Sequence, residues 1–372
     1  SESVAPSGSS LMVSYLGYPG VAGGVHWDYT LADSIVLPPE HAKGIEEPLI
    51  YLPFSYQAND YAPSSPAILE EDLVPLQYTR FCNINQVDKY EPVSWNLWMN
   101  ILRKTPGSTL ALYRMRDPLG AHVVRHLSEE AEVRGIHPGR IKWFERLPRK
   151  QHAQRIASQC DLFLDHLLYG AHTTGADALW AAVPLLTING WGGSLKDQAG
   201  RFSARVGASL VRSLGIERYV LMDTLRDFED VAVDVPRHEL RRLTLAATAR
   251  EPLFDAGNSV SNVEKALQAA VEVTLAGAYG FHVVSDPQQK RHSDRRQDCW
   301  RRLAASTLGG NEERPCLEDA DFAVAVDYKN ESDPGPSMER IRAGTAYRFV
   351  AAYPHDPNAL AFRGLSSHLN GD

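Results

Sequence analysis

Three short stretches hold the residues whose types and spacing suit chemistry. The first is HTTGAD, His172 to Asp177, between the strand-like DLFLD and the helix-like ADALWAA. A loop that delivers Thr173 or Thr174 to a helix N-cap exposes the N–H groups of the first turn, and the helix dipole adds positive character there. Such a place suits an anion, and two hydroxyls add donors for phosphate oxygens. Asp177 repels a phosphate but suits a diol, such as the two hydroxyls of a ribose. The same residues also read as a plain Thr N-cap with an acidic first turn, and spacing alone leaves both readings open. The second stretch, NINQVDKYEP, carries Asn85, Gln86 and Lys89 just after a strand. The third, LPRKQHAQR, puts His152 and Arg155 on one helical face after the strand IKWF. Singly, a lysine is usually solvated and a His–Arg pair at this spacing usually lies on the surface. Together, these side chains on neighbouring loops describe a cradle for a nucleoside diphosphate.

Such loops need a scaffold. Between Tyr78 and about Gly277, strand and helix patterns alternate. Strands are predicted at 79–84, 109–114, 140–144, 161–165, 184–188 and 219–222. Helices are predicted at 94–104, 119–134, 149–159, 175–182, 200–214, 236–250 and 259–276. In the first, Trp95, Trp98, Ile101 and Leu102 share a face and Pro106-Gly107 stops the helix. This alternation implies a doubly wound parallel sheet covered on both faces, where ligands sit at the carboxyl ends of strands. Residues 61–77 are rich in Pro, Ser and acids and read as a linker. Residues 285–372 form a tail. Its charge run and turn-rich segment predict weak order, and 346–365 has spacing like a partial tetratricopeptide repeat.

The chain has 372 residues, 44% of them hydrophobic and 23% charged, with a formal net charge of −8. That length holds two domains, and the acidic balance argues against nucleic acid as partner. No apolar run approaches a membrane span. Cys82, Cys160, Cys299 and Cys316 form no CxxC pair, which argues against a zinc site or disulfide scaffold and for a reducing compartment. No Asp-x-Asp motif suggests a metal; EED at 70–72 and DFED at 227–230 read as solvated charge or helix surface.

These motifs resemble those of the O-GlcNAc transferases, which glycosylate protein serine and threonine. GAHTTGADALWAAVPLLTI is similar to that family's HTTG-x-D-x-L-W-x-x-x-P segment. NQVDK is similar to its Asn-Gln-x-x-Lys, LPRKQHAQR to its Pro-x-x-x-His-x-x-Arg, and LGYPGVAGGVHWDY to its Leu-Gly-Tyr-Pro-Gly loop. ARVGASL resembles its Ser-Arg-Val-x-x-Ser helix, with Ala204 for the first serine. The matches are collinear from Leu16 to about residue 285. The resemblance implies an α/β, two-lobed GT-B-type glycosyltransferase with a Rossmann-like C-terminal lobe at 78–284 and the end of a truncated N-terminal lobe at 1–60. It implies inverting, metal-independent transfer of N-acetylglucosamine from UDP-GlcNAc to protein Ser/Thr hydroxyls, with no cofactor, in cytoplasm or nucleus. Lys89, the catalytic candidate, and Gln86 would contact the diphosphate. Thr173 and Thr174 would hold phosphate and sugar, with His172 beside them. Asp177 would hold the ribose, His152 and Arg155 would frame the uridine, and Gly17, Tyr18 and Pro19 would line the sugar side.

The sequence departs from the family pattern in three ways. It begins a short way before the Leu-Gly-Tyr-Pro-Gly loop, so acceptor-facing histidines of the first lobe are expected to be absent and transfer by this chain alone to be weak. Val21 and Ala22 replace small hydroxyl residues, and 190–199 carries extra glycines. His26 is a candidate substitute base. A protein O-fucosyltransferase-like enzyme shares the lysine motif but lacks the His and Asp of HTTGAD. A degenerate UDP- or partner-binding module is the other alternative.

Overall fold

The structure, a computed structural model, describes residues 11–20, 27–38, 41–42, 45, 47–61, 69–73, 77–189, 202–275 and 281–285, and the strands 323–327, 348–351 and 363–364. His26, Val21, Ala22 and the 190–199 segment lie outside these. The chain forms two compact units: Ser1–Tyr56 with Gly257–Asp372, and Gln57–Ala256.

The second unit carries the motifs. Its strands are β4 (Arg80–Asn83), β5 (Thr109–Tyr113), β6 (Ile141–Phe144), β7 (Leu162–Leu164), β8 (Leu185–Ile188) and β9 (Leu221–Met222), numbered after β1–β3 of the first unit. They run parallel in the order β6-β5-β4-β7-β8-β9. This is the doubly wound sheet the alternation predicts. β7 and β8 are buried along their whole length, as a sheet covered on both faces requires. The order reverses between β4 and β7, and in such sheets a crevice opens outside the carboxyl ends of the two strands at that point.

The helix α1 (Pro92–Lys104) shows how closely local chemistry sets these elements. The Glu91 carboxylate caps it, accepting from Val93 N at 2.6 Å and Ser94 N at 2.8 Å, and proline stands at its start. Trp95, Trp98, Ile101 and Leu102 are buried. Gly107 then turns the chain with φ 86°; a Cβ there would lie 2.4 Å from the Tyr78 ring. The helices α2 (Leu119–Val133), α3 (Arg149–Gln159) and α4 (Thr173–Trp180) follow the predicted ranges within two residues. The predicted strand 219–222 is half helix, Glu217–Val220, and only Leu221–Met222 pairs with β8. A helix at Leu225–Asp234 was not predicted. Thr224 caps it by accepting from Asp227 N at 3.1 Å, and Phe228 is buried, so DFED supplies one core residue and a charged face.

The first unit holds β1 (Val13–Ser14), β2 (Tyr29–Asp33), β3 (Leu49–Leu52) and β10 (Phe281–Ser285) in parallel order. The long helix Ala256–Leu275 belongs here apart from its first residue. The predicted second lobe ran to residue 284. In the structure the chain has joined the first unit by Gly257, because Val283 and Val284 pair with Ile50 and Tyr51. Most of the tail, on which the readings of weak order and a partial repeat fall, lies outside the described residues. Ala323–Asp327 pairs with β10, and Arg348–Ala351 and Arg363–Gly364 extend the same sheet. Within 346–365 the described residues Arg348–Ala351 and Arg363–Gly364 are strands, and Phe349 and Val350 are residues that favour strands.

Candidate active site

The switch point gathers the second unit's motifs. At the end of β4, Asn83, Asn85 and the short turn Val87–Lys89 leave the sheet. At the end of β7, Asp165 begins the loop that leads into α4. Asp165 is the node of that loop. It is buried, and its Oδ1 accepts from His166 N at 2.8 Å and Ala171 N at 2.7 Å, while Oδ2 accepts from Thr187 Oγ1 at 2.8 Å. Gly207 makes room for it, since a Cβ there would lie 2.3 Å from Asp165 Oδ2. Burial nevertheless pushes the Asp165 carboxyl above its usual range, against the bonds from Thr187 and the loop and the Lys89 charge.

Lys89 reaches from the first loop to the second. Its Nζ donates to Gly170 O at 2.9 Å and to Asn85 Oδ1 at 3.4 Å, and lies 4.2 Å from the centre of the Tyr169 ring. Burial lowers its pKa to about 8, with Asp165 and Asp88 pulling the other way. The ammonium is therefore charged at neutral pH but poorly solvated, the state in which an anion gains most from it.

His172, not a threonine, is the N-cap of α4: its carbonyl accepts from Gly175 N and Ala176 N, both at 3.0 Å. Thr173 and Thr174 thus form the first helical turn, whose N–H groups have no partner within the helix. The His172 Nδ1 lies 3.0 Å from Gly170 O, so that nitrogen carries the proton and Nε2 carries the lone pair. Nε2 is buried and has no hydrogen-bond partner among the described residues. Burial, followed by the Lys89 charge, lowers the His172 pKa to about 4, so the ring is neutral. It can accept from a hydroxyl but cannot stabilise a phosphate oxygen.

The two hydroxyls also differ. Thr174 Oγ1 donates to Asn85 Oδ1, so its proton is committed. Thr173 Oγ1 accepts from Gln57 Nε2 at 3.4 Å and keeps its own proton to give. The side chain of Gln86 is exposed at the mouth of the Lys89 turn.

Asp177 sits further along α4. Its Oδ1 accepts from Tyr61 Oη at 2.6 Å. Tyr61 stacks on Trp180 at 5.1 Å and meets the edge of Phe254 at 5.3 Å. The negative charge of Asp177 is felt at His152 of α3, raising its pKa, although burial outweighs it and holds that imidazole below its usual value. Arg155 Nη2 lies 3.4 Å from His152 Nδ1, donates to Glu145 O at 2.5 Å, and its guanidinium covers the Phe144 ring at 4.6 Å. Two groupings result: Lys89, His172, Thr173 and Thr174 at the switch point, and His152, Arg155 and Asp177 between α3 and α4. Gly17, Tyr18 and Pro19 belong to the first unit, in a turn where Leu16 has φ 61°, Gly17 N donates to Tyr15 O at 2.7 Å and Tyr18 is exposed.

Asp165, Tyr61 and Gln57 carry no motif and escaped the sequence reading. A polar residue closing the apolar run DLFLD was the available signal for Asp165. Tyr61 and Gln57 lie at or before the start of the predicted linker, and Tyr61 is buried instead. Among the described residues no cluster of His, Cys, Asp and Glu fits a metal ion, and no helix is long and apolar enough to cross a membrane.

Two α/β units, one of them a doubly wound parallel sheet with a cationic switch point, define the GT-B class of glycosyltransferase folds. The O-GlcNAc transferase mutant of Thermobaculum terrenum shares this fold, with a TM-score of 0.57 at 22% identity over 71% of this chain and 49% of that one. Residues 69–256, just over half of the chain, match the model of glycosyl transferase family 41, and the chain belongs to that family. It is 30% identical over 268 residues to the probable UDP-N-acetylglucosamine–peptide N-acetylglucosaminyltransferase SEC of Arabidopsis thaliana, covering 68% of this chain and 26% of that protein. It is 27% identical over 263 residues to the protein of the same description named SPINDLY in Oryza sativa, covering 69% and 27%. The chain thus spans about a quarter of the length of these curated relatives.

Proposed function

We propose that this chain contributes the nucleotide-sugar site of a protein O-glycosyltransferase that moves N-acetylglucosamine from UDP-GlcNAc to Ser/Thr hydroxyls, with inversion and without a metal. The observation that carries the reading is the junction of Lys89 with the first turn of α4 at the β4–β7 switch point. Lys89, Gln86 and the N–H groups of Thr173 and Thr174 meet the diphosphate, with the Thr173 hydroxyl as a further donor. Inverting transfer builds positive charge on the sugar and negative charge on the departing UDP. A fixed ammonium and a helix N-terminus stabilise that negative charge without reorganising. His172 Nε2, a bare acceptor, takes a hydrogen bond from a sugar hydroxyl. Asp177, held by Tyr61, faces the ribose diol as a carboxylate acceptor, and His152 and Arg155 frame the uridine. The names of the relatives support UDP-GlcNAc as donor and peptides as acceptors. The role of Gly17, Tyr18 and Pro19 at the sugar, and a cytoplasmic or nucleocytoplasmic location, rest on the sequence resemblance.

Calorimetry with UDP in EDTA tests the reading. UDP binds, GDP binds more weakly, and magnesium adds nothing. Affinity falls as pH rises through about 8, because the free protein's Lys89 loses its proton there. A requirement for magnesium, tighter binding of GDP, or no alkaline limb would overturn it.

A further inference from the structure

Asn85 is 1% exposed, and its side chain joins two groups from different elements. Its Oδ1 accepts from Lys89 Nζ at 3.4 Å on one side and from Thr174 Oγ1 on the other. An ammonium only donates, so the carboxamide atom facing it is the oxygen, and the orientation of the amide follows. One oxygen therefore links the end of β4 to the first turn of α4.

The rest of Asn85 does not need its carboxamide. The backbone N–H donates to Asn83 Oδ1 at 3.1 Å, and Asn83 Nδ2 donates to Leu164 O at 2.7 Å, so main chain and neighbour already tie β4 to β7. Asn85 Nδ2 is buried without a hydrogen-bond partner among the described residues. A buried unpaired donor is destabilising, a cost that a leucine of similar shape would avoid. For stability alone the carboxamide is a poor choice, and its use lies in Oδ1.

We propose, on the reading of the site given above, that Asn85 is a positioning residue for the donor, its carboxamide oxygen holding the Lys89 ammonium and the first turn of α4 in register for the diphosphate. Without that oxygen, Lys89 keeps Gly170 O and the Tyr169 ring but loses its tie to Thr174. The Thr174 side chain and the turn it starts lose their brace. The charged groups that act on Lys89 are Asp165 from the loop after β7 and Asp88 from its own turn; His172 and His166 nearby are neutral, with pKa values lowered to about 4 and about 3.

The test is UDP calorimetry from about pH 6 to about pH 10 on the wild-type chain, Asn85→Leu and Asn85→Asp, with melting temperatures. Asn85→Leu is expected to melt at or above wild type and to bind UDP about tenfold more weakly. Its alkaline limb moves to lower pH, since the ammonium has lost an acceptor. Asn85→Asp keeps an acceptor and adds a charge, so its limb moves to higher pH; this variant decides the matter if Asn85→Leu does not fold. If wild type binds UDP and both variants bind alike with unmoved limbs, the role of Asn85 is refuted while the functional reading stands. Affinity and melting temperature lost together, with an unmoved limb in Asn85→Asp, refute it as well. If wild type does not bind UDP, the functional reading falls and this inference falls with it.

Discussion

Lys89→Ala lowers glycosyl transfer from UDP-GlcNAc about a hundred- to a thousandfold and leaves the melting temperature close to wild type. The size follows from the position of the ammonium, fixed on Gly170 O at the mouth of α4, where the proposed reading places the departing diphosphate. Removing one preorganised donor to a developing oxyanion typically costs about 3–4 kcal/mol. The stability half of the expectation follows from linkage. Folding lowers the lysine pKa from 10.5 to about 8, so the charged form is disfavoured in the fold. Its contribution to stability rises as pH goes from about 8 toward 10.5 and is unfavourable below that window. Alanine removes this cost together with some packing against Tyr169. Transfer measured with a radiolabelled donor, on the longest form of the protein that contains this chain, checks the first half, and thermal melting the second. A variant that transfers at the wild-type rate would remove Lys89 from the chemistry. One that melts like a core deletion would make it structural.

Asp165→Ala has the largest expected effect on stability. It strips the acceptor from His166 N, Ala171 N and Thr187 Oγ1 at once. The two N–H groups are then buried without partners, which costs about 3–5 kcal/mol in total. Asp165→Asn separates geometry from charge. Its oxygen can still receive both N–H groups, and the Thr187 hydroxyl can turn to accept from the new NH2. Its loss is expected to be less than half that of alanine. Because the Asp165 charge supports protonated Lys89, the asparagine variant also moves the alkaline limb of UDP binding to lower pH. Urea unfolding of the two variants, with UDP titrations, checks both points. Equal stability of Asp165→Ala and Asp165→Asn would mean that the loop from β7 to α4 is held by something else.

Local chemistry was legible wherever it is written in adjacent residues. Trp95, Trp98, Ile101 and Leu102 announce the buried face of α1 and Pro106-Gly107 its end, while the Glu91 cap and the start at Pro92, two residues earlier than predicted, came from the structure. The short helix Leu225–Asp234 escaped because its acidic face masks a single strong core residue, Phe228. Val220 was read as strand because YVLM is a short apolar run, although helical turn and strand meet inside it. Such short apolar runs do not distinguish the two periods.

By itself the sequence determined the α/β alternation, the motifs at the strand ends and the family they resemble, because each is a local pattern a few residues to a few turns long. It also determined that His172, Thr173 and Thr174 stand at a helix start. Only the tertiary structure decided that β4 and β7 are neighbours, since strand order depends on which crossovers pack best over the whole sheet and not on either strand's residues. That adjacency brings Lys89 to Gly170, ties Thr174 to Asn85 and makes Asp165 the node of the loop. The tertiary structure also decided the protonation of the site. His172 and Lys89 have ordinary side chains in sequence, but burial lowers their pKa values to about 4 and about 8, leaving a neutral acceptor beside a half-buried cation.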